Sequence, residues 1–177
     1  MARAHVVPIT TDHIDEAVAY LTPSADYARS KEQWERVLRW AAARHPDNLG
    51  FQLRSEDRIV GIFLATFGET VAGRRVCHLG TWQVESDYRL YSLHLFRAFF
   101  DLPVDVFTDY KPVPHVRPIN RRFGFRDMDS RTVAIWNLRW PSLRRGVSLI
   151  CDPERIDRVL EGRDLQVFRD HRDVPGV

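Results

Sequence analysis

The side chains best placed to do chemistry sit close together in the stretch "HLGTWQVESDYRLYSLH", His78 to His94. A half-apolar strand pattern gives way there to a short polar turn carrying Arg89, and then to an apolar helix pattern. Such a junction suits an anion, because the first N–H groups of a helix lack intrahelical acceptors and the helix dipole adds to them. Arginine brings a planar fork that matches phosphate or carboxylate. Turns of this kind are usually rich in glycine, and this one has none between Thr81 and His94. Arg89 can face a ligand or pair with a surface carboxylate; Asp87 and Glu85 flank it, and Asp87 is best used as a helix cap. For proton transfer the nearby titratable groups are His78 and Glu85, with His115 further along. The seven histidines show no HxxxH or HxH spacing beside a carboxylate, so no metal is expected.

These residues need a sheet and helices to hold them. "AHVVPI" reads as a first strand, and "TTDHIDEAVAYL" as a helix capped by Thr11 or Asp12, with Ile14, Val18 and Leu21 on one face. In "SKEQWERVLRWAAARH" Ser30 and Gln33 form a capping box, and Trp34, Val37, Leu38 and Ala41 share a face. The runs "GFQLR" and "RIVGIFLATFGE", joined by "SEDR", predict a hairpin, and "RRVCHLGTWQVES" a third antiparallel strand. Alternation along that strand puts His78, Gly80, Trp82 and Val84 on one face and Cys77, Leu79, Thr81, Gln83 and Glu85 on the other. A buried helix from about Ser92 to Asp101 follows, then a strand "VDVFTDY". Prolines 112, 114 and 118 allow only a short or irregular helix before Gly124. "TVAIWNLRW" reads as a closing strand. The order is β-α-α-β-β-β-α-β-α-β, an α/β (α+β) chain with a mixed, mostly antiparallel central sheet and helices on both faces. Residues 1–141 form the main domain. Residues 142–177 are a C-terminal extension, with a helix at about 153–161 and a strand at 165–168.

Composition narrows the function classes. At 177 residues, 44% hydrophobic and 28% charged, the chain can bury one sizeable core. A net charge of +2 does not call for nucleic acid, and basic and aromatic residues are not interleaved on any one surface. No apolar run approaches the ~20 residues of a membrane helix. Cys77 and Cys151 have no paired spacing and read as buried free thiols. A soluble, cytoplasmic protein is expected.

The element order, with "TWQVESDYRLYSLHL" and "INRRFGF", resembles the GCN5-related N-acetyltransferase (GNAT) fold over roughly residues 4–140. The resemblance implies an acyl-CoA-dependent acyltransferase, with acetyl-CoA or another acyl-CoA as donor. An amine or hydroxyl of a small molecule or sugar would attack the thioester directly. It places pyrophosphate on Arg89, Leu90, Tyr91, Ser92, Leu93 and His94. The family's small loop residues fall on Ser92 and His94; a His94 ring pointing into the loop would plug it. The backbone N–H that polarises the acyl carbonyl falls at Val84. The family's acidic tyrosine falls on Asn120, which cannot serve, so Tyr110 is the substitute, with His78 and Glu85 as further proton-transfer candidates. A catalytically inactive binding or interaction protein of the same fold is the alternative. The same segments with "VFRDHRD" also resemble, more narrowly, acyltransferase-like proteins of bacterial polysaccharide gene clusters. A homodimer, or a partner domain missing beyond the tail, stays open.

Overall fold

The computed structural model describes residues 3–24, 29–70, 72–128 and 150–172. The chain divides into two units, Met1–Met128 and Asp129–Val177.

The first unit is built on a five-stranded sheet in the order β1 (Ala4–Pro8), β2 (Gly50–Ser55), β3 (Arg58–Glu69), β4 (Arg75–Val84), β5 (Val106–Thr108). Neighbours are antiparallel except β4 and β5, which run parallel because the helix α3 (Ser92–Phe100) carries the chain between them. The expected β2–β3 hairpin is present, with Ser55 opposite Arg58. On one face lie α1 (Ile14–Leu21) and α2 (Lys31–Ala42), packing Val18, Leu21, Trp34 and Leu38 onto Ile59, Ile62 and Leu64. On the other, α3 lays Leu95, Phe96 and Phe99 over Leu53, Phe63, Ala65, Cys77 and Leu79. Only this stripe of α3 is buried; Leu93 and Phe100, which the sequence placed in a helix buried on most sides, are exposed.

Local signals set the helix starts. Ser30 Oγ accepts from Gln33 N–H at 3.3 Å while Gln33 Oε1 accepts from Ser30 N–H at 2.8 Å, the reciprocal box read from the sequence. The cap before α1 falls earlier than expected: Thr10 caps a 3-10 turn, Thr11–His13, that leads into it. After β5 comes the short α4 (Arg117–Arg122), with Pro118 in its first turn and Gly124 at φ +86° beyond its end.

In the second unit the described residues form α5 (Pro153–Val159) and α6 (Gly162–His171). Asp152 caps α5 by accepting from Glu154 N–H at 3.1 Å. The strand expected at 165–168 is instead part of α6. Leu165 and Phe168 stand three apart, a helical spacing that "LQVF" shares with a short apolar run, and Arg169 grips Asp157 of α5 through two hydrogen bonds of 2.9 and 2.8 Å. The expected strand "TVAIWNLRW", residues 132–140, lies outside the described residues. None of the described helices is long and apolar enough to cross a membrane.

Candidate active site

The site begins where β4 and β5 part. Their pairing covers only Val76–Val106, Cys77–Phe107 and His78–Thr108. Beyond Thr108 the chain enters "DYKPVPHVRP", whose prolines have no N–H to offer a ladder. A cleft of about 550 Å³ opens in the gap, lined on one side by Trp82, Val84, Arg89 and Ser92 and on the other by Asp109, Lys111 and His115.

Backbone direction in β4 follows from one hydrogen bond. Glu85 N–H donates to Val60 O at 2.9 Å, toward β3. N–H groups alternate along a strand, so the Val84 N–H, opposite Gly61, points the other way, to the edge β5 has left. By the same alternation the Trp82 N–H opens on that edge, a donor the sequence reading missed. Below them the Trp82 ring lies flat on Phe63, centroids 4.7 Å apart and planes 3° from parallel.

A bulge in β4 changes which side chains share a face. Phe63 pairs with Trp82 but Ala65 pairs with Leu79, so β4 carries one more residue than β3 around Gly80 and Thr81. Strict alternation had put His78 with Trp82 and Val84; instead Cys77, Leu79, Trp82 and Val84 all pack on the α3 side, and His78 faces α1 and α2. There His78 Nδ1 meets Thr108 Oγ1 at 2.5 Å, and its ring stacks on Tyr110 at 5.4 Å between centroids. Burial holds the His78 pKa below its ordinary 6.5. Tyr110 is 65% exposed. Neither residue lines the cleft.

The turn between β4 and α3 explains the missing glycines. Ser86–Tyr91 is a 3-10 helix running straight into α3, and Glu56, in the β2–β3 hairpin, is the one non-glycine with positive φ among the described residues. Three residues per turn stack Tyr88 over Tyr91 on the inner side and leave Arg89 and Leu90 outside. Both tyrosines pack against the α3-side core; Tyr88 OH donates to Ser55 Oγ at 3.2 Å. Glu85, a candidate for proton transfer, is tied to Arg58 at 2.6 Å and lies off the cleft.

This turn also engages its own donors. Tyr88 N–H bonds to Glu85 O at 3.0 Å and Ser92 N–H to Arg89 O, while Ser92 Oγ donates to the same carbonyl at 2.7 Å. The donors such a helix leaves over are its first, at Ser86 and Asp87, and neither residue lines the cleft. Of the expected row over Leu90, Tyr91, Ser92, Leu93 and His94, the Ser92 N–H is turned inward onto Arg89 O, while Leu93 and His94 lie in the first turn of α3, where N–H groups have no intrahelical acceptor. Among these residues only Ser92 joins Arg89 at the cleft; Leu90 is 83% exposed, Leu93 is exposed, and Tyr91 and His94 line a separate groove beside β1. His94 thus points away from the cleft and does not plug it.

At the position of the expected acidic tyrosine, Asn120 is 5% exposed and donates through Nδ2 to Asp109 Oδ2 at 2.8 Å, tying α4 to the end of β5.

No protein-family model matches this chain, and no curated protein resembles it in sequence. Solved structures do resemble it. A ribosomal-protein-alanine N-acetyltransferase from Brucella melitensis aligns over 75% of this chain and 100% of its own at 15% identity, with a TM-score of 0.55. A predicted acetyltransferase from Clostridium acetobutylicum, solved with acetyl-CoA, aligns over 75% and 96% at 13% identity and a TM-score of 0.53. A GNAT family acetyltransferase from Staphylococcus aureus aligns over 76% and 99% at 13% identity, also with a TM-score of 0.53. At such identities the likeness is one of architecture, a mostly antiparallel sheet with helices: this chain has the GNAT fold.

Proposed function

We propose that the protein is an acyl-CoA-dependent acyltransferase, acetyl-CoA being the first donor to test, that modifies an amine or hydroxyl of a small molecule or sugar. One observation carries the reading: the Val84 N–H stands on an unpaired strand edge facing a cleft of about 550 Å³, within the usual range of roughly 300–1,000 Å³ for ligand sites. In this reaction the acceptor's nitrogen or oxygen bonds to the acyl carbon, the carbon–sulfur bond breaks, and the acceptor's proton ends on the released thiol. The Val84 N–H donates to the carbonyl oxygen as it gains charge, and Trp82 N–H is a second donor on the same edge. His78 lies outside the cleft lining; His115, on the lip opposite Val84, is the titratable side chain placed to accept the acceptor's proton. Glu85, held by Arg58, takes no part.

The test is acetyl-CoA-dependent mass gain on a panel of amines and amino sugars, with wild type and Val84→Pro. Proline removes this N–H without breaking a ladder bond, since the β5 side of β4 is unpaired here. A fall in turnover of about 10²–10³ with unchanged thermal midpoint is expected. A wild type that neither binds acetyl-CoA or longer acyl-CoAs nor acylates any acceptor would remove the proposal.

A further inference from the structure

A second cavity, of about 370 Å³, opens at the end of the sheet remote from the cleft. It meets β4 at Val76, whereas the cleft meets β4 at Val84, eight residues on and roughly 25 Å along the strand at about 3.3 Å per residue. Its floor is apolar: Phe67, Leu102 and Val104 pack on the α3-side core but stay only partly buried, so the core is left open here. His45 sets the edge of its ring against Phe67, centroids 5.6 Å apart. Both walls are pinned. On one, Pro46 O accepts from Thr11 N–H at 3.1 Å and from Thr11 Oγ1 at 3.2 Å. On the other, Asp105 Oδ2 accepts from Arg75 N–H at 2.7 Å while Asp105 N–H donates to Arg75 O at 3.0 Å. The cavity is therefore shaped before any ligand arrives.

Charges of both signs stand at its mouth. Glu69 ends β3 and Arg75 begins β4, directly opposite each other in the register, where Cβ atoms lie about 4.5–5.5 Å apart. Both are exposed and line the cavity, yet neither forms an ion pair with the other or with any other described residue. Asp47 adds a second carboxylate across the mouth, where the Arg44 guanidinium lies over the Trp40 ring. An anion alone would meet Glu69, a cation alone would meet Arg75, and an uncharged apolar molecule would leave both idle. A molecule that carries an ammonium and a carboxylate close together on an apolar body matches both charges and the floor at once.

From this we infer that the cavity binds an α-amino acid with an apolar side chain, its carboxylate on Arg75, its ammonium on Glu69 and its side chain over Phe67, Leu102 and Val104. The site is separate from the cleft and does not depend on the acyl-CoA reading.

The experiment is calorimetric titration of the full chain with phenylalanine, with hydrocinnamate, which lacks the ammonium, with phenethylamine, which lacks the carboxylate, and with glycine, which lacks the side chain. Wild type, Arg75→Gln and Glu69→Gln are compared. Phenylalanine is expected to bind the wild type roughly tenfold or more tighter than each of the other probes. Arg75→Gln is expected to lose roughly tenfold for phenylalanine and nothing for phenethylamine, and Glu69→Gln roughly tenfold for phenylalanine and nothing for hydrocinnamate. Because both side chains are exposed at strand ends, the circular dichroism spectrum and thermal midpoint should stay at wild type. A wild type that does not bind phenylalanine, or binds hydrocinnamate or phenethylamine as tightly, overturns the site. So does a substitution without effect, or one that weakens every probe alike, the mark of a lost wall rather than a lost charge contact. Displacement of phenylalanine by CoA would place it in the cleft and overturn the assignment as well.

Discussion

At the scale of single residues, two side chains make opposite use of burial. Cys77 is fully buried on the α3 side of β4 and desolvation pushes its pKa up to about 12, whereas Cys151 is exposed. Only the thiolate reacts. One thiol per chain should therefore titrate rapidly with a disulfide reagent in the native state and a second only after denaturation; two fast thiols would contradict the placement of Cys77. This departs from the sequence reading of both cysteines as buried, which had no means to tell that Cys151 precedes the exposed cap of α5. Burial of His78 links its protonation to stability. Its folded pKa lies below the ordinary 6.5, so between those two values the unfolded chain binds more protons. Stability from this group is therefore present above pH 6.5, is lost as pH falls through that value, and levels off below the folded pKa. Denaturation midpoints for wild type and His78→Gln on either side of pH 6.5 should show the smaller acid loss in the variant. Equal losses would mean that His78 is not desolvated as its contact with Thr108 implies.

At the scale of elements, what the sequence could show depended on whether a signal was periodic. The capping box at Ser30 and Gln33, the β2–β3 hairpin and the inward stripe of α3 each follow a repeat that the residues display, and each is present, though Leu93 and Phe100 of α3 stay exposed. The β4 bulge follows no repeat: Gly80 and Thr81 look like any other pair in a strand, yet one extra residue there moves His78 to the opposite face from Val84. The 3-10 turn did leave a trace, tyrosines three apart at 88 and 91, but without the sheet beneath them that spacing reads equally as the first turn of α3. Gly50, at the entry to β2, is where the strand architecture is least forgiving. Its φ is +120°, and a Cβ there would stand 2.2 Å from the Phe63 carbonyl oxygen. The backbone angle alone costs a side chain about 1–3 kcal/mol, and the clash with a paired strand adds to it. Gly50→Ala should lower the denaturation midpoint sharply, and more than Gly68→Ala in β3, where an added Cβ meets nothing within 4 Å. Equal effects would mean that β2 can shift its register without consequence.

At the scale of the whole molecule, the fold was legible because element order survives when individual positions do not. Neighbours of 13–15% identity share the sheet, and the residues that depart from the usual loop pattern, Ser92 and His94, do so without closing the cleft. The loop manages without glycine because it is a 3-10 helix with ordinary backbone angles running straight into α3, a feature only the sheet beneath it reveals. Donor binding should then stabilise the chain as a whole, since the cleft draws on β3, β4, α3, the segment after β5 and α4, which come together only when the first unit is folded. A ligand that binds only the folded state at 100 times its dissociation constant adds about 2.7 kcal/mol. For a chain of 177 residues each kcal/mol moves the midpoint by about 2–4 °C. Saturating CoA should therefore raise the thermal midpoint by roughly 5–10 °C. The cleft lining described here belongs to the first unit, so the shift should appear in the transition reported by Trp82 and its neighbours in the sheet, read by fluorescence with Trp82→Phe as reference. A midpoint that does not move at saturating CoA would show that ligand binding is not linked to folding of the β4–β5 cleft.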